Sequence, residues 1–310
     1  MSKHLPSLAV VVPSKNRPQD LEVVIQGLLE QTVWATQLIV VDQSSDDESE
    51  RRVASCFDQA TAVARESIQL TYIRDPKITG LTAARNRSLP LLRADVVLFL
   101  DDDVVLQPNF VEEILTTYAR YPQAAGVSGI VTNYLPPSAI YKYWIRIFAL
   151  GVLHDDRQPI YWNVGNLETF DPVRVSRLGG GLMSFRTAAI RGTEFDAGLS
   201  GACDGEDVDF CIRLGKQAVL LITPRARLVH KASPVGRSGD HWLLRHARTN
   251  WYLYQRNWNH GIMNRVCFAW LNLGYGLAAG LSCLRRVSLV PCKALLKMPA
   301  MGTALARRNG

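Results

Sequence analysis

The sequence predicts an α/β fold, a mostly parallel sheet flanked by helices, followed by a helical C-terminal appendage. Three observations carry that prediction. Short apolar, β-favouring runs recur at Leu8 to Val12, Leu38 to Val41, Leu70 to Ile73 and Val96 to Leu100, with helical periodicity between them, and such alternation argues for a doubly wound parallel sheet. Each run breaks off into polar residues, so the loops line one rim, the rim where open α/β sheets bind ligands. The composition then changes after Asp240: no acidic residue follows it, whereas ten lysines and arginines do.

The first run ends in Pro13-Ser14-Lys15-Asn16-Arg17, and Pro18 opens a helix where its missing N–H is tolerated. Leu21, Val24, Ile25, Leu28 and Leu29 follow at helical spacing and give one buried face. The second run leads into Asp42-Gln43-Ser44-Ser45, where Asp42 and Ser44 serve either as helix caps or as ligand contacts. A helix from Glu48 to Arg65 is expected to bury Val53, Phe57, Ala60 and Ala64 before the third run. Small residues from Gly80 onward open another helix and let its backbone approach a ligand. Arg85 and Arg87 then stand near a helix start, where the dipole disfavours cations and an anion such as a diphosphate would relieve them.

Val96 to Leu100 reads as a buried central strand that stops at Asp101-Asp102-Asp103. Three adjacent carboxylates repel one another unless something positive sits among them. A hard divalent cation, which also binds phosphate oxygens, is the functional reading, and a solvated acidic turn is the bland one. A helix over Pro108 to Tyr121 and a strand over Ala124 to Val131 follow. Ala139 to Leu153 crowds aromatic residues beside Lys142 and Arg146. It reads as an amphipathic core helix, with cover of the site, acceptor contact and membrane contact as alternatives. Arg177 to Phe185 is a strand entered through Gly179, Gly180 and Gly181, which suits either close backbone approach or a bulge. Glu206 and Asp207 open a helix, where the dipole favours acids and a catalytic base would be well held. The strand Ala218 to Ile222 leads on to His230, a structural histidine or a metal ligand.

The 310 residues suffice for one large domain with an appendage, divided here as 1–235 and 236–310. The net charge of +7 is unevenly spread, since the part up to Asp240 holds 25 basic against 28 acidic residues. A basic tail on a near-neutral body points to a polyanionic surface. No nucleic-acid reading motif accompanies it, so anionic lipid is the expected partner and nucleic acid is not. The six cysteines form no CxxC pair, which implies reduced thiols and no zinc site. Met1 to Ser7 is polar and Leu8 to Val12 too short for a secretory core, so a cytosolic setting is expected.

Six motifs fall in one order: Val12 to Arg17, Val41 to Ser45, Gly80 to Asn86, the Asp-x-Asp of Leu100 to Val104, the glycines at Gly180, and Gly205-Glu206-Asp207-Val208-Asp209. This ordered set resembles the GT-A fold glycosyltransferases of the large inverting family 2. The resemblance implies that Pro13, Ser14, Asn16, Arg17, Asp42, Ser44 and Arg85 hold a nucleotide-diphosphate-sugar of the UDP, dTDP or GDP type, with Asp42 accepting from the base. Gly180 and Gly181 would line the same site. Asp101 would meet the ribose or a metal-bound water, with Asp102 sharing that role. Asp103, with Asp101 and His230, would ligate Mg²⁺ or Mn²⁺. Asp207 would be the general base, with Glu206 or Asp209 as rivals. The expected reaction transfers one sugar to a hydroxyl of a glycan or lipid-linked acceptor, since Gln255-Arg256-Asn257-Trp258 lacks the Gln-x-x-Arg-Trp spacing of processive members. Two rival readings remain, a nucleotidyltransferase and a non-catalytic sugar-nucleotide-binding module. The first lacks a glycine-rich basic loop after the first strand, and intact carboxylates count against the second.

From Val266 to Leu284 no charge appears, and Arg265 and Arg285-Arg286 bracket the stretch. That is close to the roughly 20 residues of a membrane span. Gly276 and Gly280 form a GxxxG pattern, while Asn272 and the tryptophans favour helices lying in an anionic cytosolic leaflet. A single span and packing onto the domain are the alternatives. The expected location is peripheral, on the cytosolic face of the membrane.

Overall fold

A computed structural model describes residues 5–161, 171–199, 205–231 and 242–286. Its centre is a nine-stranded sheet in the order β3-β2-β1-β4-β8-β6-β9-β5, with β7 paired to β9. The strands are β1 (Leu8–Ser14), β2 (Gln37–Asp42), β3 (Gln69–Arg74), β4 (Val96–Leu100), β5 (Val104–Leu106), β6 (Ala124–Val131), β7 (Val173–Val175), β8 (Leu182–Arg186) and β9 (Val219–His230). The first four in the row, β3-β2-β1-β4, are parallel as the sequence predicts. Beyond β4 the sheet is mixed: β8 runs antiparallel to both β4 and β6, and only β6 and β9 continue the parallel pattern. That reversal has consequences for the site.

The helices are α1 (Pro18–Leu29), α2 (Glu48–Gln59), α3 (Ala62–Ser67), α4 (Leu81–Ser88), α5 (Phe110–Arg120), α6 (Ala139–Phe148), the single turn α7 (Gln158–Tyr161), α8 (Glu206–Leu214), α9 (Trp242–Asn257) and α10 (Ile262–Arg286). α1 buries the five residues that the periodicity selects. The helix expected over Glu48 to Arg65 is two helices instead. Ala60 is extended, and the Thr61 hydroxyl caps α3 by accepting from the Ala64 amide, so the chain turns where a cap was available. The strands expected at Ala218 to Ile222 and before His230 are one long strand, β9.

One core lies under α1, α2 and α5, and a second packs on the opposite face of the sheet around Phe99, Phe185, Phe195 and Phe210. The aromatic segment that reads as a core helix joins neither. α6 buries only Ile145, and its inner side packs with α9 and α10 into a separate cluster. α9 in turn is seated on α8. Asn257 donates to the buried Asp209 at 2.7 Å, while Tyr252 and Arg256 both bond Asp196 at 2.8 Å. The expected boundary at residue 235 lies outside the described residues, as do residues 287–310. No helix among the described residues is long and apolar enough to cross a membrane. The single-span alternative for 266–284 is thereby corrected: α10 has the length, but Asn272, Gly274, Gly276 and Gly280 dilute its hydropathy.

Gly205, at the start of α8, has φ +111°, and a Cβ there would strike the Thr249 side chain of α9. Gly205→Ala should therefore cost about 1–3 kcal/mol, from backbone strain and from displacing α9. Thermal unfolding followed by circular dichroism measures this, and an unchanged midpoint would show that α9 is not seated there.

Candidate active site

The carboxyl ends of β1, β2 and β4 meet at the same rim because their parallel register pairs Ser14 with Asp42 and Val11 with Phe99. Asn16, just past β1, is the one non-glycine residue among those described with positive φ, 54°. Asparagine tolerates that region better than most residues. The turn is fixed by the Ser44 hydroxyl, which accepts from the Asn16 amide at 2.7 Å. Asp42 is fully buried; one oxygen accepts from the Ser44 amide and the other from the Tyr72 hydroxyl. Burial and then the Asp42 carboxylate push the Tyr72 phenol well above its ordinary range, so it stays a donor. Asp42 thus props the loop rather than facing open solvent.

The Asp triplet divides by direction. Asp102 turns toward the β1 loop, where the Ser14 hydroxyl donates at 2.7 Å and Arg17 at 2.8 Å. Burial pushes its carboxyl up to about 6, against the pull of those two partners. Asp101 and Asp103 meet His230, and the second oxygen of Asp103 keeps a longer contact of 3.6 Å with Arg17. The imidazole Nε2 is 3.2 Å from Asp103 and 3.8 Å from Asp101. β-Pairing brings this distant histidine in, since β5 lies antiparallel on β9 with Val104 opposite His230. Burial works against the Asp101 charge, but His230 and Arg85 override it and hold that carboxyl below its ordinary value. The ligand atoms of Asp101, Asp103 and His230 lie within 4.8 Å of one another. Two carboxylates and one imidazole, facing each other at that spacing, fit a divalent ion such as Mg²⁺ or Mn²⁺.

Arg85 departs from its expected setting. It sits in the last turn of α4, not at a helix start, and its side chain is fully buried. Its partners are Glu206 at 3.0 Å, Asp101 at 3.5 Å and the Gly180 carbonyl at 2.7 Å, and it lies over the Phe195 ring. Its charge is answered by carboxylates, whereas Arg87 is exposed. Glu206 is pushed above the usual carboxylate range by burial and then by Asp207. Asp207 is pinned through both oxygens, accepting from Gly180 N at 2.9 Å and from Val208 N at 2.8 Å. Arg157 approaches it to 3.6 Å, braced in turn by Asp155 and the Leu178 carbonyl. Nothing in the local pattern singles out Arg157. The third rival, Asp209, is fully buried between Arg213 and Asn257 and is structural.

The glycines make room for these acids. A Cβ on Gly180 would come to 2.9 Å from Glu206 and one on Gly181 to 2.8 Å from Asp101. The close approach that the glycines allow is to side chains of the protein. The antiparallel β4–β8 pairing creates it, by setting Leu182 opposite Leu100.

Acids and a histidine at the ends of parallel strands, facing a second acid pair at a helix start, define a GT-A type α/β fold. Solved structures share it. The Pyrobaculum calidifontis mannosyltransferase PcManGT, in complex with GDP-Man and Mn²⁺, aligns with a TM-score of 0.58 at 18% identity, covering 98% of this chain and 81% of that one. S. aureus TarS residues 1–349 align with a TM-score of 0.58 at 14% identity, over 96% and 83% of the two chains. The Glycosyl transferase family 2 model matches residues 9–178, more than half of the sequence, and the chain belongs to that family. Among curated relatives, the Haloferax volcanii glucosyl-dolichyl phosphate glucuronosyltransferase is 26% identical over 40% of this chain and 37% of its own. The Rhizobium meliloti succinoglycan biosynthesis protein ExoM is 28% identical over 57% of this chain and 52% of its own. The matched region thus spans about a third to a half of these relatives.

Two measurements test the site. Arg85→Met leaves Asp101 and Glu206 without their shared cation and should cost about 3–5 kcal/mol in urea unfolding. His230→Ala should weaken Mn²⁺ binding about tenfold or more in calorimetry. Asp102→Asn should leave Mn²⁺ affinity within about threefold, because that side chain faces the β1 loop. Equal losses in the two variants would overturn the division of the triplet.

Proposed function

We propose that this protein transfers a single sugar, with inversion, from a nucleoside-diphosphate sugar to a hydroxyl of a lipid-linked or cell-surface glycan precursor. One observation carries the reading: Arg85 touches both the cation-type group, through Asp101, and the helix-start acids, through Glu206. The two halves of a displacement reaction would thereby lie one guanidinium apart. On the donor side, the loops built from Pro13, Ser14, Asn16, Arg17 and Ser44 receive the nucleotide, with Asp42 and Asp102 fixing their shape. Asp101, Asp103 and His230 would hold Mg²⁺ or Mn²⁺, which neutralises charge on the departing diphosphate.

On the acceptor side, Asp207 takes the proton from the incoming hydroxyl. The Gly180 amide and Arg157 hold its carboxylate in place. One base opposite a leaving group suffices to invert the sugar carbon. Glu206 is the weaker candidate for that role, because its carboxylate is engaged by Arg85 and by the Gly205 amide. The division of the chain into a catalytic part up to residue 235 and a basic helical part after it belongs to the proposal. So does a peripheral position on the cytosolic membrane face, where lipid-linked acceptors are presented.

Release of nucleoside diphosphate from a panel of UDP, dTDP and GDP sugars, with and without Mn²⁺, tests the reading. Asp207→Asn should lower turnover about 10²- to 10⁴-fold while leaving Mn²⁺ binding intact. Full turnover in that variant, or release of pyrophosphate in place of nucleoside diphosphate, would overturn it.

A further inference from the structure

The outer surfaces of α6 and α10 are apolar where a soluble helix is normally charged. On α6, Ile140, Tyr143 and Ile147 are exposed at helical spacing. On α10, Val266, Leu273, Leu277 and Leu281 form an exposed stripe of the same kind. The opposite side of α10 is already filled: Cys267, Phe268, Leu271, Tyr275 and Ala279 are buried in the cluster shared with α6 and α9. α10 therefore carries apolar residues on two sides yet is covered on one side only. The exposed stripe of α10 meets the C-terminal end of the α6 stripe. Trp270, 40% exposed, donates its indole N–H to the Ile147 carbonyl at 2.7 Å and packs on the Phe148 ring.

Charge names the occupant of this surface. No aspartate or glutamate occurs between Glu113 and Asp155, or anywhere after Asp240. Arg146 is exposed on the outer side of α6, and Arg265 at the start of α10. A continuous apolar face with a tryptophan at its seam and exposed arginines at its border matches an anionic lipid surface. No described helix is apolar enough to cross, so a docked face would lie along the bilayer surface.

We propose that α6 and α10 together form a two-helix platform that docks on an anionic bilayer. This deepens the membrane-side reading above, which drew on the C-terminal region alone, by adding α6 as an equal partner.

The test is flotation of the full chain with vesicles of phosphatidylglycerol and phosphatidylethanolamine, and separately of phosphatidylcholine. The protein should float with the first and not with the second. Ile147→Glu and Leu273→Glu should each weaken flotation about tenfold or more, since each sets a carboxylate against anionic lipid. Both positions are half exposed, so circular dichroism should show unchanged helix content. Flotation lost with Leu273→Glu but kept with Ile147→Glu overturns the two-helix platform. Equal binding to neutral vesicles overturns the charge argument. A stable dimer in light scattering that Leu273→Glu splits, with no flotation, assigns the face to a second copy and overturns the proposal. Vesicle binding is read without a sugar donor, so its failure and the failure of the transferase reading are separate results.

Discussion

Burial of the Arg85 guanidinium is the constraint on which the rest of the site depends. A cation removed from water costs several kcal/mol unless carboxylates and carbonyls surround it. Here they come from three parts of the chain: Asp101 after β4, the Gly180 carbonyl before β8, and Glu206 at the start of α8. The same cation lets two acid groups approach that would otherwise repel. Its Nε has no hydrogen-bond partner among the described residues, so the arrangement is held for position at some expense in stability. The Phe195 ring, stacked on Phe210, closes the other side of the guanidinium.

The change of strand direction at β8 is what makes this convergence possible. Had β8 been parallel to β4, the glycines before it would lie at the far rim. Antiparallel pairing instead brings Gly181 back beside Asp101, where the Asp101 amide donates to the Gly181 carbonyl at 3.1 Å. The next pairing repeats the device, because β5 on β9 carries His230 to Asp103. The Lys231 amide fastens that end by donating to the Asp103 carbonyl at 2.8 Å. A purely parallel sheet supplies strand ends at one rim, whereas a mixed sheet also supplies strand beginnings there.

Much of this was legible in the sequence where it depended on local pattern. The parallel strands β1, β2, β3 and β4, the face of α1 and the placing of the Asp triplet at a strand end all follow from short-range periodicity. Asp101, Asp103 and His230 come together as expected. The failures concern partners far apart in sequence. Arg85 and Glu206 are 121 residues apart, and no local signal says that the first will be buried against the second. Likewise Tyr72 reaches Asp42 and Arg157 reaches Asp207 through the sheet and the loops. The break at Ala60 was missed for a different reason: both halves keep an apolar face, so periodicity alone runs across the gap. For α6 the aromatic pattern correctly reports a buried side but cannot say against what, and its partners prove to be α9 and α10.

α9 is the mechanical link between the two ends of this picture. Through Tyr252, Arg256 and Asn257 it is bonded to Asp196 and to Asp209 of α8, the helix that begins with Glu206 and Asp207. Through Asn250, which donates to the Tyr275 hydroxyl at 2.7 Å, and through the Tyr254 ring stacked on Phe268, it is bonded to α10. α10 is thereby linked to the helix of the candidate base through one intervening helix. Asp209 makes that coupling stiff, because its buried carboxylate is satisfied from both sides, by Arg213 of its own helix and by Asn257 of α9. Loss of either partner leaves a buried charge under-bonded, so α8 and α9 hold a common position or both pay in stability.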